Sequence, residues 1–376
     1  ILSGLVGSEM CIRDRFKASP DFEAPGDSDQ NNVYELLLQV SDGQLTQQQS
    51  VRVVVLDIDD NAPVISSPTT VSVDENQSPA TPVYKLIASD VDTQSILTYS
   101  IVGGADQAKF AINSSTGEVT FKIAPDFEAP GDSDQNNAYE LVLEVADSQF
   151  TQTQTVIITV NDVNDNAPFI TSVKSVSVNE NLATPAYRLT SSDADRPTTF
   201  TYFIIGGADQ GRFTIDATTG EVSFKAAPDF EAPSDSDNNN IYELVLEVSD
   251  GQFTQSQSVT ISVADVNDNA PIISSPRSVN VTVSEAIGAG AAAYTLIAAD
   301  ADAHATLTYS IVGGADQAKF VINASTGEVT FKTAPDFESP GDADRNNAYE
   351  LLLQVSDGQF TTQQSVTIRV TDVNDN

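Results

Sequence analysis

The 376 residues contain no tryptophan, and cysteine, methionine and histidine occur once each, as Cys11, Met10 and His304. Nothing beyond residue 11 can therefore form a disulfide. A lone histidine, beside Asp302 in one place only, rules out a Ser-His-Asp triad or a histidine-built zinc site and reads as a surface residue. Basic residues are also scarce: 17 Lys and Arg stand against 54 Asp and Glu, a formal charge of −37. Such a surface repels a polyanion, so nucleic acid is excluded as a partner. No apolar run reaches the length of about 18 residues that a membrane span requires, and Ile1 to Val6 is too short and lacks the basic start of a signal peptide. With 40% hydrophobic residues the chain can nevertheless bury cores, so disorder is not expected. Its negative charge must then sit somewhere tolerable, and bound cations are one such place.

What is present is repetition. The string Val160 to Pro168, VNDVNDNAP, recurs with small changes at Asp57 to Pro63, Asp265 to Pro271 and Asp372 to Asn376. Asp60, Asp165, Asp268 and Asp375 thus mark a period of about 105 residues, the signature of tandem units. Phe16 to Glu23 matches Phe121 to Glu128, Phe224 to Glu231 and Phe331 to Glu338, but upstream of Phe16 the match fails. Ser8 to Arg15 resembles a translated sequencing adaptor, so 1–15 is expected to be non-native. The remaining segments are 16–61, the C-terminal half of a truncated repeat, and three full repeats at 62–166, 167–269 and 270–376. The chain reads as a fragment of something longer, starting partway through one unit and ending on a motif that elsewhere continues into Ala-Pro.

Within each copy the local signals are strands. Tyr139, Leu141, Leu143 and Val145 alternate with Glu140 and Glu144, and Tyr242 to Val248 repeat the pattern, as half-buried strands require. Phe110 and Ile112, a turn at Ser115-Thr116-Gly117, then Val119 and Phe121 predict a hairpin. About seven short strands per copy and no convincing helix predict an all-β protein: tandem seven-stranded antiparallel β-sandwiches arranged end to end.

Acidic signatures recur in register. A Glu follows the first strand at Glu75, Glu180 and Glu285, and Asp-x-Asp follows the second at Asp90 and Asp92, Asp193 and Asp195, and Asp300 and Asp302. Asp-Phe-Glu precedes a long loop, and an Asp caps the next-to-last strand at Asp42, Asp147, Asp250 and Asp357. Singly, each is an ordinary turn or solvated residue. Together they repel by about 1 kcal/mol per close pair in water and about 4 at a protein-like dielectric. Divalent cations relieve that cost, and carboxylates mixed with amide and backbone carbonyls suit calcium better than magnesium.

At these residues the chain resembles the cadherin repeat family from Phe16 to Asn376, with a Greek-key, immunoglobulin-like sandwich as the implied fold. The resemblance implies three calcium ions at each inter-domain junction. At the middle junction it implies as ligands Glu75, Asp126 and Glu128, the Val163 carbonyl, Asn164, Asp165, the Asn166 carbonyl, Asp193, Asp195 and Asp250. At the next it implies Glu180, Asp229, Glu231, Val266, Asn267, Asp268, Asn269, Asp300, Asp302 and Asp357. The first junction would draw on Asp21, Glu23, Asp59, Asp60, Asn61, Asp90, Asp92 and Asp147. Full occupancy is expected at two junctions, partial occupancy at the first, where the Glu is missing, and little at the C-terminus.

The departures are informative. The family's Asp-Arg-Glu is Asp-Phe-Glu here, and Asp59 stands where the other linkers have Asn. Without tryptophan, the tryptophan-exchange adhesion of vertebrate cell-cell cadherins does not carry over. The loop Pro130 to Asn137 resembles bacterial, often marine, cadherin-like proteins. Its Asp132-x-Asp134 pair is either a further cation site or an Asx-rich turn.

The expected function is a calcium-stiffened adhesion or structural array, extracellular or at the cell surface, in a large bacterial surface protein or adhesin. Its expected partners are calcium ions and another cadherin-like chain or a cell-surface carbohydrate. The alternative is a passive spacer stalk for a carbohydrate-binding protein or enzyme. Enzyme activity of its own is not expected, since an active site is rarely copied into every unit.

Overall fold

In the computed structural model the described residues are 15–276 and 280–374. The adaptor-like reading of 1–15, with Met10 and Cys11, falls almost wholly outside them, as do Asp375 and Asn376 of the last linker. The chain forms two compact units, one running to Asp165 with Ala194–Pro197, the other made of Asn166–Asp193 and the residues from Thr198 onward. The first holds segment 16–61 and one complete repeat, the second the other two repeats.

The complete repeat of the first unit shows the plan. One sheet orders Thr70–Asp74, Thr151–Asn161, Ala138–Ala146 and Thr98–Gly103 side by side. A second orders Tyr84–Lys85, Glu118–Phe121 and Phe110–Ile112, and a short ladder pairs Val64–Ile65 with Ala88–Ser89. Taking the two interrupted strands, 64–74 and 84–89, as one each gives the expected seven, and the same plan recurs in both repeats of the second unit. One short 3-10 turn per repeat, such as Gln107–Lys109, is the only helical element among the described residues.

The sheets are not wholly antiparallel, which corrects the expectation. Thr70–Asp74 pairs parallel with Thr151–Asn161, as do Ser175–Asn179 with Thr254–Ala264 and Asn280–Ser284 with Thr361–Thr371. The cause is a change of sheet. The first strand starts antiparallel to Ala88–Ser89, leaves at Ser66 to Thr69, and continues in the same direction beside the last strand. Gln154 fastens this crossover, its Nε2 donating to the carbonyls of Ser67 at 3.2 Å and Pro68 at 3.0 Å, while the Tyr84 hydroxyl donates to Pro68 at 2.6 Å.

Alternation does what its period predicts. Leu141, Leu143 and Val145 face Val156 and Ile158, and all five are fully buried. Each contributes on the order of 2 kcal/mol of hydrophobic stabilisation. Phe110, Phe121 and Tyr139 close the same core, with ring centroids 4.3, 5.5 and 5.1 Å apart. The Tyr139 hydroxyl accepts the Gly131 N–H at 3.1 Å and so ties the long loop to the core. That loop is built on its own amides. Asp132 accepts the N–H groups of Asn136 at 2.7 Å and Asn137 at 3.2 Å, while Asp106 accepts those of Ser133 and Glu140. Such bonding favours the Asx-rich turn over a further cation site. In segment 16–61 the equivalent hairpin, Val33–Ser41 with Thr46–Val54, leaves Leu36, Leu38 and Val40 exposed.

The bulged end of Thr98–Gly103 makes a sharp steric test. Gly104 has φ of +100°, and a Cβ there would lie 2.2 Å from the Glu140 carbonyl oxygen. Gly358 has φ of +106° but nothing within 4 Å. Gly104→Ala should therefore destabilise its repeat by about 3 kcal/mol or more, and Gly358→Ala by only about 1 kcal/mol. Urea unfolding of the two variants gives the comparison, and equal losses would contradict the close approach.

Candidate metal centres

The acidic side chains of the first unit collect where strands end. Glu75, only 3% exposed, sits in the turn after Thr70–Asp74. Its Oε2 accepts the Phe127 N–H at 2.7 Å and its Oε1 the Val163 N–H at 2.8 Å. One carboxylate thus joins the Asp-Phe-Glu loop to the linker leaving the last strand. Glu180 does the same with Phe230 and Val266, and Glu285 with Phe337 and Val373. These contacts aim further carboxylates at the same spot. Carboxylate oxygens of Glu75, Glu128 and Asp162 lie within 4.8 Å of one another, and so do those of Glu128, Asp165 and Asp195. In the second unit the groups are Glu180, Asp229 and Glu231, then Glu231, Asp265 and Asp302.

At the first linker, Glu23, Asp60 and Asp92 form a like group. Asn61 orders it, donating its backbone N–H and Nδ2 to the two oxygens of Asp92 at 3.0 and 2.9 Å, and Nδ2 also to Asp60. Asn269 repeats this on Asp302 and Asp268, and adds a 3.2 Å bond to Glu231. The second carboxylate of these two Asp-x-Asp pairs is thus held by a linker amide. The first carboxylate holds the turn, as Asp90 accepts the Asp92 N–H at 3.0 Å and Asp300 that of Asp302 at 3.2 Å.

The other residues named from the sequence lie as follows. Asp126 and Asp229 each accept the amide three residues on, Ala129 and Ala232, which closes the loop turn. Asp250 and Asp357 accept the N–H groups at i+2 and i+3 and cap their hairpins. Asp193 follows the strand Ser191–Ser192. Asn164 and Asn267 carry buried Oδ1 atoms that accept no hydrogen bond. Asp21 is exposed and accepts the N–H groups of Glu23 and Ala24, holding Glu23 in its group. Val163 and Val266 enter through their N–H groups, and nothing bears on the carbonyl roles that the resemblance implies for them and for Asn166.

Three residues escaped the sequence reading: Asp57, Asp162 and Asp265. Each lies three positions before the linker's second Asp and accepts an N–H from the following Asp-x-Asp loop, that of Thr93 at 2.7 Å, Arg196 at 2.6 Å and Ala303 at 2.8 Å. The signal that marks them is recurrence at a fixed offset in every linker.

A donor set fits a cation when its oxygens are gathered, buried and without donors. Glu23 Oε1, Asp57 Oδ1, Asp59 Oδ1, Asp90 Oδ2 and Asp147 Oδ2 are buried and accept nothing at the first linker. At the last complete one the same holds for Glu231 Oε1, Asp265 Oδ1, Asn267 Oδ1, Asp300 Oδ2 and Asp357 Oδ2. The five groups named above are built of Asp and Glu carboxylates alone. Such an all-oxygen set of carboxylates and amides suits calcium.

A cadherin-domain family profile matches residues 69–161, 174–264 and 279–371. The chain belongs to the cadherin family. It is 31% identical over 371 residues to human Protocadherin Fat 1, and 32% identical over 377 residues to mouse Protocadherin Fat 4. Those alignments cover 94% and 93% of this cadherin chain but only 8% and 7% of the relatives. Among solved structures, protocadherin gammaB7 domains EC3-6 align with a TM-score of 0.68 at 23% identity, covering 94% of this chain and 86% of that one. Mouse Cadherin-23 EC22-24 aligns at 0.56 and 24% identity, covering 84% of this chain and all of that one. These likenesses bear on the fold. Residues 16–61 lie outside the profile matches, and the bacterial likeness of the long loop stays an expectation from sequence.

Burial pushes the carboxyls of Glu128 and Glu231 up from 4.5 to about 7. Nearby charges add to it: Glu75, Asp162 and Asp195 around Glu128, and Glu180, Asp265 and Asp302 around Glu231. A raised folded-state value means that protonation favours the folded form. The stability these groups contribute is complete below about 4.5 and is lost as pH rises through about 7. In chelator, the melting temperature should fall between about pH 5 and pH 8, and a Glu128→Gln, Glu231→Gln variant should flatten the fall. A melting temperature that climbs over that window would contradict the crowding of carboxylates.

Proposed function

We propose that the chain is a calcium-binding stretch of a cadherin adhesion protein at the cell surface, whose linkers are stiffened when their carboxylates share bound cations. The observation that carries this reading is the recurring set of buried carboxylate and amide oxygens that accept no hydrogen bond, gathered at linker after linker. Bound calcium would supply the positive charge that offsets their mutual repulsion. Glu75, Asp126, Glu128, Asp162, Asp165 and Asp195 would hold it at the first unit's C-terminal end. Glu180, Asp229, Glu231, Asp265, Asn267, Asp268, Asp300, Asp302 and Asp357 would hold it in the second unit. Asp57, Asp59, Asp60, Asp90, Asp92, Asp147 and Glu23 would do so at the first linker. In each case the linker shares a group with the flanking repeats, so a cation held there resists bending of the linker.

Adhesion, through a second cadherin chain or a surface carbohydrate, is the role we assign. A passive spacer would use the same linkers, and a bacterial source rests on the long loop alone. The chain covers between 7% and 12% of the curated relatives it matches, so partner choice is proposed for the array as a whole. Among the described residues no helix is long and apolar enough to cross a membrane. Catalysis by the carboxylate pairs is disfavoured because every complete repeat carries them on its end loops.

Calorimetry tests the metal. Extracellular calcium sites bind at about 10⁻⁴ to 10⁻³ M, so millimolar calcium should add on the order of 1 kcal/mol per site and raise the melting temperature by several degrees over chelator. Small-angle scattering should show a narrower distribution of end-to-end lengths in calcium, with far-UV circular dichroism unchanged. An unchanged melting temperature would overturn the metal reading, and an unchanged distribution would overturn stiffening.

A further inference from the structure

The last repeat departs from the other copies at two neighbouring surface positions. Just after the Phe-Lys that leads into the Asp-Phe-Glu loop, the others have Ala18, Ile123 and Ala226, and this one has Thr333. Six residues on, the others have Ala24, Ala129 and Ala232, and this one has Ser339. The Ser339 hydroxyl is not needed for the loop turn. Asp336 accepts the Ser339 backbone N–H at 2.8 Å, just as Asp126 and Asp229 accept those of Ala129 and Ala232. Thr333 and Ser339 are both exposed, and both stand on the wall of one cleft of about 330 Å³.

The rest of that wall is rich in donors. Lys319 and Lys332 stand opposite each other just beyond the Phe320–Phe331 pair, the Lys332 N–H donating to the Lys319 carbonyl at 2.8 Å. Lys332 Nζ donates to the Ala318 carbonyl at 2.8 Å, which fixes the ammonium and leaves it two further N–H groups. Neither lysine forms an ion pair among the described residues, although the chain has 54 acids. Like charges placed opposite each other cost stability, and an anion between them removes that cost. Tyr349 is only 2% exposed, and its hydroxyl accepts the Gly341 N–H at 3.2 Å where both residues border the cleft. Nothing among the described residues accepts the Tyr349 proton. Burial pushes the phenol up from its ordinary value, so that proton stays on the oxygen. In the middle repeat the equivalent Tyr242 has a partner of its own, Ser234 Oγ at 3.1 Å. The buried Asp316 and Asp342 are engaged by loop amides, those of Ala343 and Glu350 and those of Asn346 and Asn347. Asp336 is the carboxylate on the cleft wall.

We infer that this cleft of the last repeat binds one ring of an acidic sugar. The ring's single negative group sits between Lys319 and Lys332, and its hydroxyls pair with Thr333, Ser339, Asp336 and the Tyr349 proton. Two ammoniums against one carboxylate leave one positive charge in excess, which selects an anionic ring over a neutral one. The mixture of donors and acceptors around the charge matches sugar hydroxyls, each of which can both donate and accept. A volume of about 330 Å³ lies at the low end for small-molecule sites, about 300–1,000 Å³, and suits a single ring. The inference rests on the adhesive reading above in its carbohydrate form, and gives that partner a place in the chain.

Nuclear magnetic resonance on the full chain in millimolar calcium tests it, by titration with methyl glucuronide, glucose 6-sulfate, methyl glucoside and acetate. At least one of the two acidic rings should bind at around millimolar concentration, move the signals of 319–341, and bind about tenfold or more tighter than methyl glucoside or acetate. Which of the two binds identifies the negative group as carboxylate or sulfate. Lys319→Gln should weaken binding about tenfold, and Thr333→Ala with Ser339→Ala, which restore the alanine of other copies, several-fold, with the melting temperature unchanged. Lys109→Gln, the same change in the 62–166 repeat, should leave binding unmoved. Acetate binding as tightly as the acidic rings, or an equal loss in Lys109→Gln, overturns the inference. If an acidic ring binds but moves signals elsewhere, the carbohydrate partner stands and this site is overturned. If no ring binds while calcium still raises the melting temperature, this site falls and the calcium-stiffened array stands.

Discussion

Glu75, Glu180 and Glu285 each accept one N–H from an Asp-Phe-Glu loop and one from the linker that leaves the last strand. A buried carboxylate with two amide donors is tightly fixed, because either bond lost would leave charge without a partner in a poorly solvated place. Loop and linker are thereby set with respect to one another in every repeat. The remaining acids of each group, Glu128 and Asp162 or Glu231 and Asp265, hang from those two segments. Their closeness follows from the Glu, and so does their repulsion.

Folding and charge therefore pull in different directions at the ends of each sandwich. The core, built on residues such as Leu141, Leu143 and Ile158, is fully buried and lies along the middle of the long strands. It gives the repeat its stability independently of the end groups. That division lets the ends carry an arrangement that would otherwise be costly, at about 4 kcal/mol for each close like-charged pair at an intermediate dielectric. Burial, with these neighbouring charges adding to it, pushes the Glu128 and Glu231 carboxyls up.

Much of this was legible in the sequence because the informative patterns are local and repeated. The period-two run Tyr139 to Val145 could only be a half-buried strand, and Phe110 to Phe121 could only return on itself at Gly117. The acid signatures were legible because four linkers carry them. The change of sheet in the first strand was not, since it rests on two-residue pairings such as Val64–Ile65 with Ala88–Ser89 and on contacts from Gln154, more than eighty residues away. Asp57, Asp162 and Asp265 were missed for a different reason. At the end of an alternating strand each reads as a solvated residue, and its bond to the next Asp-x-Asp loop crosses more than thirty positions.

Those three aspartates complete the logic of the linker. Asp162 and Asp265 lie in groups with the preceding repeat's Glu and at the same time accept an amide from the following repeat's loop. Asn61 and Asn269 close the circuit from the other side, giving both an N–H and an Nδ2 to Asp92 and Asp302. The linker is therefore hydrogen-bonded into both neighbours before any cation is considered, and its direction is set by neutral amides. What those bonds leave unsatisfied at the linkers is acceptor oxygen, on carboxylates such as Glu231 and Asp265 and on the amides of Asn164 and Asn267. A cation completes such a site without having to create it, so binding spends little of its free energy on ordering the chain.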